Sequence, residues 1–168
     1  MDHVLLIDLI NELGLERIYV SDDVEYVRIE TTDISRPGLQ MAGYYEKFVP
    51  ERVQVIGSAE WHFLRDMDES KRLDVLEKFI QYPIPVIIVT RGNEVFPELI
   101  ELSKKYNKTL LYSEKTTSKV IGELVSYLGL KLAPTTSIHG VLLEVFGVAV
   151  LLTGKSGIGK SETALDLI

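Results

Sequence analysis

Residues 148–164 read VAVLLTGKSGIGKSETA, and this stretch decides the fold of the carboxyl-terminal part of the chain. Its first five residues are all apolar, as in a buried strand. Residues 154–161 then match the pattern G-x-x-x-x-G-K-[ST], and residues 162–168 have the composition of a helix start. Strand, glycine-rich loop and helix in this order predict a phosphate-binding loop, or P-loop. A glycine-rich turn between two packed elements is the alternative interpretation.

Each part of the predicted loop has a task in holding phosphate. Glycine lets the backbone adopt positive φ angles and approach phosphate oxygens closely. Successive amides then form an anion nest, and the dipole of the following helix adds positive potential. Lys160 would neutralise the terminal phosphates, and the Ser161 hydroxyl would coordinate Mg²⁺. The predicted phosphate-binding residues are Gly154, Lys155, Ser156, Gly157, Ile158, Gly159, Lys160 and Ser161.

A second strand and a domain boundary precede this stretch. Residues 137–145 are predicted to form a tight hairpin with the strand 148–153 through Phe146 and Gly147. Residues 130–134, LKLAP, break the pattern and mark a boundary. We therefore predict an amino-terminal regulatory or interaction domain over residues 1–130, a linker over 131–136, and the start of a P-loop domain over 137–168.

The catalytic carboxylates of a P-loop phosphotransferase are absent from the segment that follows the loop. A second Mg²⁺ ligand and a group that activates the acceptor normally lie on later strands. We therefore expect the chain to be the amino-terminal part of a longer protein.

Strands and helices alternate in the amino-terminal part. The predicted strands are 53–57, 86–90 and 109–112, and the predicted helices are 59–82, 97–106 and a last one that ends near Leu128. On the first of these helices, Leu73, Leu76, Phe79 and Ile80 share one face. The alternation predicts an α/β fold, a small parallel sheet with flanking helices.

The first 57 residues add a helix and turn signals to this pattern. Asp2 is a candidate cap for a helix with apolar residues at helical spacing, and Gly14 would end it. Two β-rich segments, 17–20 and 26–30, follow. Only one glycine, Gly57, stands after the strand 53–57, so a dinucleotide-binding fingerprint is absent.

Composition limits the class of partner. The chain has 168 residues and a net charge of −7, which argues against nucleic-acid binding. It contains no cysteine and therefore no disulfide, which suits a cytoplasmic protein. No apolar run approaches the roughly 20 residues that span a bilayer. We predict a cytoplasmic protein that binds neither nucleic acid nor membrane.

Several other chemically active residues have structural interpretations by default. A histidine at a strand edge, such as His139, is usually structural, and His3 and His62 are predicted at the surface. Arg36-Pro37-Gly38 is typical of a rigid turn. The acidic residues Glu60, Asp66, Asp68 and Glu69 are predicted to form a solvated helix face, and Trp61 and Phe63 are predicted to be packing residues.

Two segments of the carboxyl-terminal part resemble the HPr kinase/phosphorylase family of bacterial sugar regulation. They are SIHGVLL at residues 137–143 and GKSGIGKSETA at residues 154–164. Residues 34–39, ISRPGL, Gly43, and residues 52–57, RVQVIG, share this resemblance. The resemblance covers the whole chain. It implies an enzyme that phosphorylates a serine of the phosphocarrier protein HPr with ATP or pyrophosphate and Mg²⁺, and that reverses this by phosphorolysis in carbon catabolite regulation. It also implies a hexamer and an amino-terminal domain like one in cell-wall ligases.

The resemblance also implies roles for individual residues. Residues 154–161 would bind the triphosphate, Lys160 would act at the transferring phosphate, and Ser161 would bind Mg²⁺. His139 matches a histidine that the family places in its active site, and we expect it on the strand before the loop. Position 155 is often acidic in the family and is Lys155 here.

Two other functions stay open at this stage. The chain could be a non-catalytic regulatory module with an incomplete P-loop, or part of a P-loop kinase that acts on a small molecule.

Overall fold

The computed structural model describes residues 3–167. The chain divides into two compact units between Ala133 and Pro134, which we name the amino-terminal and carboxyl-terminal units. The elements of the amino-terminal unit are β1 (Val4–Leu5), α1 (Leu6–Leu13), β2 (Glu16–Tyr19), β3 (Arg28–Ile29), β4 (Ile34–Ser35), α2 (Gly38–Met41), β5 (Val53–Ile56), α3 (Ser58–Arg65), α4 (Glu69–Ile80), β6 (Val86–Val89), α5 (Pro97–Lys105), β7 (Thr109–Tyr112) and α6 (Thr117–Leu132).

The amino-terminal unit is built on a five-stranded sheet with the order β2-β7-β6-β5-β4. Strands β4, β5, β6 and β7 are parallel to one another, as the alternating pattern predicted. Strand β2 pairs with β7 in the antiparallel sense, so the sheet is mixed rather than parallel. Strands β1 and β3 form a separate antiparallel pair. The α/β class is confirmed, and the predicted all-parallel sheet is corrected at its β2 edge.

Apolar residues of the sheet make two cores, one on each face. Val53 and Val55 belong to the core that α1 and α6 cover, whereas Ile56 belongs to the core that α3, α4 and α5 cover. Strands β5 and β6 are buried along their whole length, because a parallel strand in this position has helices on both faces.

Most helix boundaries follow local signals. Gly14 ends α1 in the left-handed conformation, with φ of 58°, where glycine carries no steric penalty. Pro97 opens α5, as predicted. Asp2, the candidate cap, lies outside the described residues. The predicted helix 59–82 is two helices, α3 and α4, because the Asp68 carboxylate accepts a hydrogen bond from Lys71 N at 2.9 Å and starts a new helix.

Two further boundaries and one buried position differ from the prediction. Leu73 is 38% exposed, while its predicted companions are fully buried. Helix α6 runs to Leu132 instead of ending near Leu128. The first two residues of the predicted linker, Lys131 and Leu132, are therefore helical.

A buried polar network holds the carboxyl ends of β4, β5 and β6 together. Glu60 accepts hydrogen bonds from Arg36 Nη2 at 2.7 Å and from Gly57 N at 3.0 Å. Thr90 Oγ1 lies 2.8 Å from Thr117 Oγ1 at the start of α6. Glu60 is 6% exposed, so the expectation that it lies on a solvated face was wrong.

Gly57→Ala is expected to lower the free energy of unfolding by about 2 kcal/mol, the usual cost of overpacking. A Cβ at this position would lie 2.8 Å from Thr117 Oγ1 and 3.0 Å from Arg36 Nη2. Urea denaturation measures the loss. Gly122→Ala is the matched control, since a Cβ there meets nothing within 4 Å and alanine is favoured within a helix by roughly 0.5–1 kcal/mol. Equal stability changes at the two positions would contradict the packing argument.

Tyr45→Phe is expected to raise the free energy of unfolding at neutral pH by about 1 kcal/mol. The Tyr45 hydroxyl is buried without a hydrogen-bond partner among residues 3–167. Burial first, and then Tyr82, raise the pKa of Tyr45 to about 12, above the value near 10 of an unfolded chain. Below pH 10 the phenol is neutral in both the folded and the unfolded chain. As the pH rises from 10 towards 12 it ionises first in the unfolded chain, so the wild-type protein loses stability over this range.

Urea unfolding of the wild-type and Tyr45→Phe chains at pH 7, 10 and 11 tests both effects. The variant is expected to lose less stability between pH 10 and 11 than the wild-type chain. Tyr26→Phe is the control, because Tyr26 is 79% exposed. An unchanged alkaline slope in Tyr45→Phe would contradict the assignment.

The carboxyl-terminal unit consists of β8 (Gly140–Val145), β9 (Val148–Thr153) and α7 (Lys160–Asp166). The predicted hairpin is confirmed, with the two turn residues Phe146 and Gly147 at φ of 49° and 79°, as in the turns that suit two-residue hairpins. The inner face of the hairpin carries Leu143, which is buried, whereas the outward-facing Leu142 is 71% exposed.

Among residues 3–167, we find no helix that is both long enough and apolar enough to traverse a membrane.

Candidate functional site

The glycine-rich loop connects the end of β9 at Thr153 to the start of α7 at Lys160. Gly157 and Gly159 have φ of 80° and 91°, a region that L-residues rarely occupy. A Cβ at Gly154 would lie 3.2 Å from Ile158 Cγ2, so the loop also closes on itself there. The local fold therefore requires glycine at the motif positions.

The Lys160 ammonium group folds back over the start of the loop. Its Nζ donates hydrogen bonds to the carbonyl oxygens of Gly154 at 2.9 Å and Lys155 at 2.8 Å. The first turn of α7 is fixed by Thr163, whose amide and Oγ1 both donate to Gly159 O. A single positive charge is thus held against the loop backbone by bonds that a stronger acceptor, such as a phosphate oxygen, could replace.

The motif spacing indicated that Lys160 would lie at the loop, but it did not indicate these two carbonyl groups. Any residue can supply a backbone carbonyl, so the sequence does not reveal which carbonyl groups Lys160 contacts five and six residues earlier. The structure thereby adds the carbonyls of Gly154 and Lys155 to the predicted loop residues.

The other two predicted residues have different environments. Ser161 lies exposed in the first turn of α7. His139 is also exposed. We predicted it on the strand, but it lies one residue before β8 begins. Because Gly140 pairs with Thr153, His139 lies at the end of the hairpin where the loop begins. No hydrogen bond joins His139 to another group in the part of the chain that the structure describes.

The positive charges of the carboxyl-terminal unit lie in this loop. Lys155 and Lys160 are the only lysine or arginine residues between positions 134 and 168. Glu162 follows in the first turn of α7. Two cationic side chains against one carboxylate leave an excess of positive charge at the loop, which favours an anion. Within residues 3–167 no group of three or more His, Asp or Glu side chains has a metal-binding arrangement.

An α/β chain that ends in a strand, a glycine-rich loop and a helix defines a broad class of phosphate-binding proteins. Comparison with protein families narrows this class. Residues 4–128 match the family described as HPr Serine kinase N terminus, and residues 130–168 match the HPr Serine kinase C-terminal domain. The chain belongs to the HPr serine kinase family.

Curated relatives carry the name HPr kinase/phosphorylase. The protein of Clostridium perfringens strain 13 is 49% identical over 160 residues, which is 95% of this chain and 52% of the relative. That of Clostridium acetobutylicum is 47% identical over 96% of this chain and 52% of the relative. That of Alkaliphilus metalliredigens is 43% identical over 100% of this chain and 54% of the relative. The chain spans about half the length of the curated relatives it matches.

Among solved structures, the chain is similar to the CBS and DRTGG domains of the regulatory region of Clostridium perfringens pyrophosphatase, which was crystallised with diadenosine tetraphosphate. The TM-score is 0.49 at 18% identity, over 71% of this chain and 45% of the other.

Proposed function

We propose that the chain is the amino-terminal part of a bifunctional serine kinase and phosphorylase that acts on the phosphocarrier protein HPr. The observation that carries the proposal is the position of Lys160, held at the start of a glycine-rich loop in a chain of this family. The phosphate donor would be ATP or pyrophosphate with Mg²⁺. The role would be in bacterial carbon catabolite regulation, in the cytoplasm and as a hexamer.

The loop would bind the phosphate chain through its backbone amides, and Gly157 and Gly159 would permit the conformation that this requires. Lys160 would exchange its two carbonyl partners for oxygens of the transferring phosphate. The Ser161 hydroxyl would be one ligand of the metal ion, which would neutralise charge on the phosphates.

His139 would act from the end of β8, beside the first residues of the loop. Its exposed position and the pairing of Gly140 with Thr153 support this placement. An imidazole can accept or donate a proton near neutral pH, and at this position it would interact with the transferring phosphate or the serine hydroxyl.

The two units would have separate tasks. Residues 1–130 would form a regulatory or interaction domain like that of cell-wall ligases, and residues 137–168 would begin the P-loop kinase domain. The linker would be residues 131–136, with Lys131 and Leu132 still in α6. The boundary after Ala133 supports this division.

Calorimetric titration of the chain with Mg-ATP and, separately, Mg-pyrophosphate tests the phosphate site. We expect saturable binding of one ligand per chain for both donors, because both present the same diphosphate group to the loop. Glucose, which has no phosphate, is the control ligand and is expected to give no binding heat. The proposal would be contradicted if neither donor bound to this chain or to a protein of its relatives' full length.

A further inference from the structure

A surface groove lies within the amino-terminal unit. It is formed by α3, α4 and the segment 40–45, and it has a volume of about 530 Å³, within the range of small-molecule sites. We name it the α3–α4 groove. Its apolar lining consists of Met41, Tyr45, Phe63, Met67 and Val75.

The lining of the groove is suited to a flat apolar body. Tyr45 forms a rigid wall, because its ring stacks on Tyr82 with centroids 5.1 Å apart and planes 7° from parallel. Phe63 on α3 also lines the groove and is 43% exposed, although phenylalanine side chains are predominantly buried in folded chains. Met41 and Met67 are flexible and polarisable, and such side chains adapt to an inserted ligand.

The charged residues at the rim of the groove leave an excess of positive charge. Asp66 is neutralised by Arg65, whose Nε and Nη2 donate to Asp66 Oδ1 at 2.9 and 2.8 Å. Helix α4 contributes Lys71, Asp74 and Lys78.

These three α4 residues make no ion pair within residues 3–167. Two lysines therefore face one aspartate. The Lys78 ammonium group lies 4.9 Å from the centroid of the Tyr45 ring, which places a cation directly over the apolar wall. The rim is thus complementary to a ligand with one negative charge.

We propose that the α3–α4 groove binds a small organic anion with a planar apolar body. The body would insert between the Tyr45 and Phe63 side chains, and the anionic group would pair with Lys71 and Lys78 at the rim. This site is in the amino-terminal unit and is independent of the phosphate chemistry proposed for residues 154–161.

Titration with 8-anilinonaphthalene-1-sulfonate, an aromatic anion, tests the site in the intact 168-residue chain. We expect enhanced probe fluorescence that saturates at one probe per chain. The dissociation constant should be on the order of ten micromolar, as expected for a ligand of this size. Energy transfer from Trp61, the only tryptophan of the chain, reports the location, because Trp61 is on α3 two residues from Phe63.

Two variants address the apolar wall and the charge separately. Phe63→Glu and Lys78→Glu are each expected to weaken probe binding about tenfold, with unchanged circular dichroism because both side chains are exposed. Lys119→Glu makes the same charge change on α6, whose core lies on the opposite face of the sheet, and is expected to alter affinity less than twofold. Naphthalene-1-sulfonate should displace the probe, and the cationic 1-naphthylmethylamine should not.

Four results would overturn the proposal. The first is probe uptake that does not saturate, and the second is wild-type affinity in both groove variants. The third is displacement of the probe by both competitors alike. The fourth is loss of binding in Leu142→Glu, which would place the probe on the outer face of the hairpin. A dimer that dissociates in Phe63→Glu and shows no probe site would assign the groove to a second copy of the chain.

Discussion

Lys160→Ala is expected to lower phosphoryl transfer to HPr by the full-length protein on the order of a thousandfold, the effect of removing a group that stabilises developing charge in a transition state. Lys160 Nζ is already held at the start of the loop by the carbonyls of Gly154 and Lys155. Alanine removes both the charge and these two bonds. Radiolabelled phosphate transfer from ATP and, separately, from pyrophosphate to HPr measures the loss, and phosphorolysis of phosphorylated HPr to pyrophosphate measures the reverse of the second reaction.

The control for this variant is Lys131→Ala, the same substitution on the exposed surface near the end of α6. It is expected to keep wild-type transfer in both directions. Transfer from pyrophosphate and phosphorolysis should fall together in Lys160→Ala, since they are opposite directions of one reaction and pass through the same transition state. Transfer that persisted in Lys160→Ala would remove Lys160 from the reaction and leave only a structural role in the loop.

Glu98→Ala is expected to lower the free energy of unfolding by roughly 3 kcal/mol, the cost of breaking a buried ion pair by removal of one partner. Arg72 and Glu98 join α4 to α5, and their side chains are only 15% and 9% exposed. Both Nε and Nη2 of Arg72 donate to Glu98 Oε1. The guanidinium lies 4.7 Å from the centroid of the Phe96 ring, so the variant leaves it buried without a counter-charge.

Urea denaturation measures this loss, with Glu101→Ala as the control. Glu101 is on the same helix but is exposed, and its replacement should change stability by less than about 0.5 kcal/mol. The double variant Arg72→Met/Glu98→Leu is expected to recover most of the stability, because two apolar side chains replace the whole pair. A loss in the double variant as large as in Glu98→Ala would contradict the buried-charge explanation.

Local signals in the sequence predicted much of this fold. The strands β5, β6 and β7 are four-residue segments, VQVI, VIIV and TLLY, in which β-branched and other apolar residues predominate, as is typical of buried strands of a parallel sheet. The hairpin was also predictable, because Phe146 and Gly147 separate two apolar segments by a two-residue turn.

The errors come from contacts between residues that are distant in the chain. Strand β2 pairs with β7, about ninety positions later, and no local periodicity reveals a partner or its direction. Arg72 and Glu98 are 26 positions apart and lie on different helices, so their burial as a pair could not be predicted. The break between α3 and α4 had a local signal, Asp68 as a cap, but the surrounding polar residues are equally typical of one long helix.

Strand pairing also determines the position of His139. The sequence predicted a strand from residue 137, yet β8 begins at Gly140 because its partner β9 ends at Thr153. Beyond Thr153 the backbone turns into the loop, so residues 137–139 have no strand to pair with. The loop that follows β9 therefore also limits the length of β8.

The packing of α1 beside α6 has a topological consequence for the amino-terminal unit. These are its first and last helices, and they cover one core on the same face of the sheet. The core that contains α1 is therefore complete only when α6, the last segment of the unit to be synthesised, has packed against it. Both ends of the unit lie on one side, so its polypeptide could be rejoined there and reopened at a surface loop such as residues 91–96. Such a circular permutant would preserve every strand pairing while changing the order in which the core is completed.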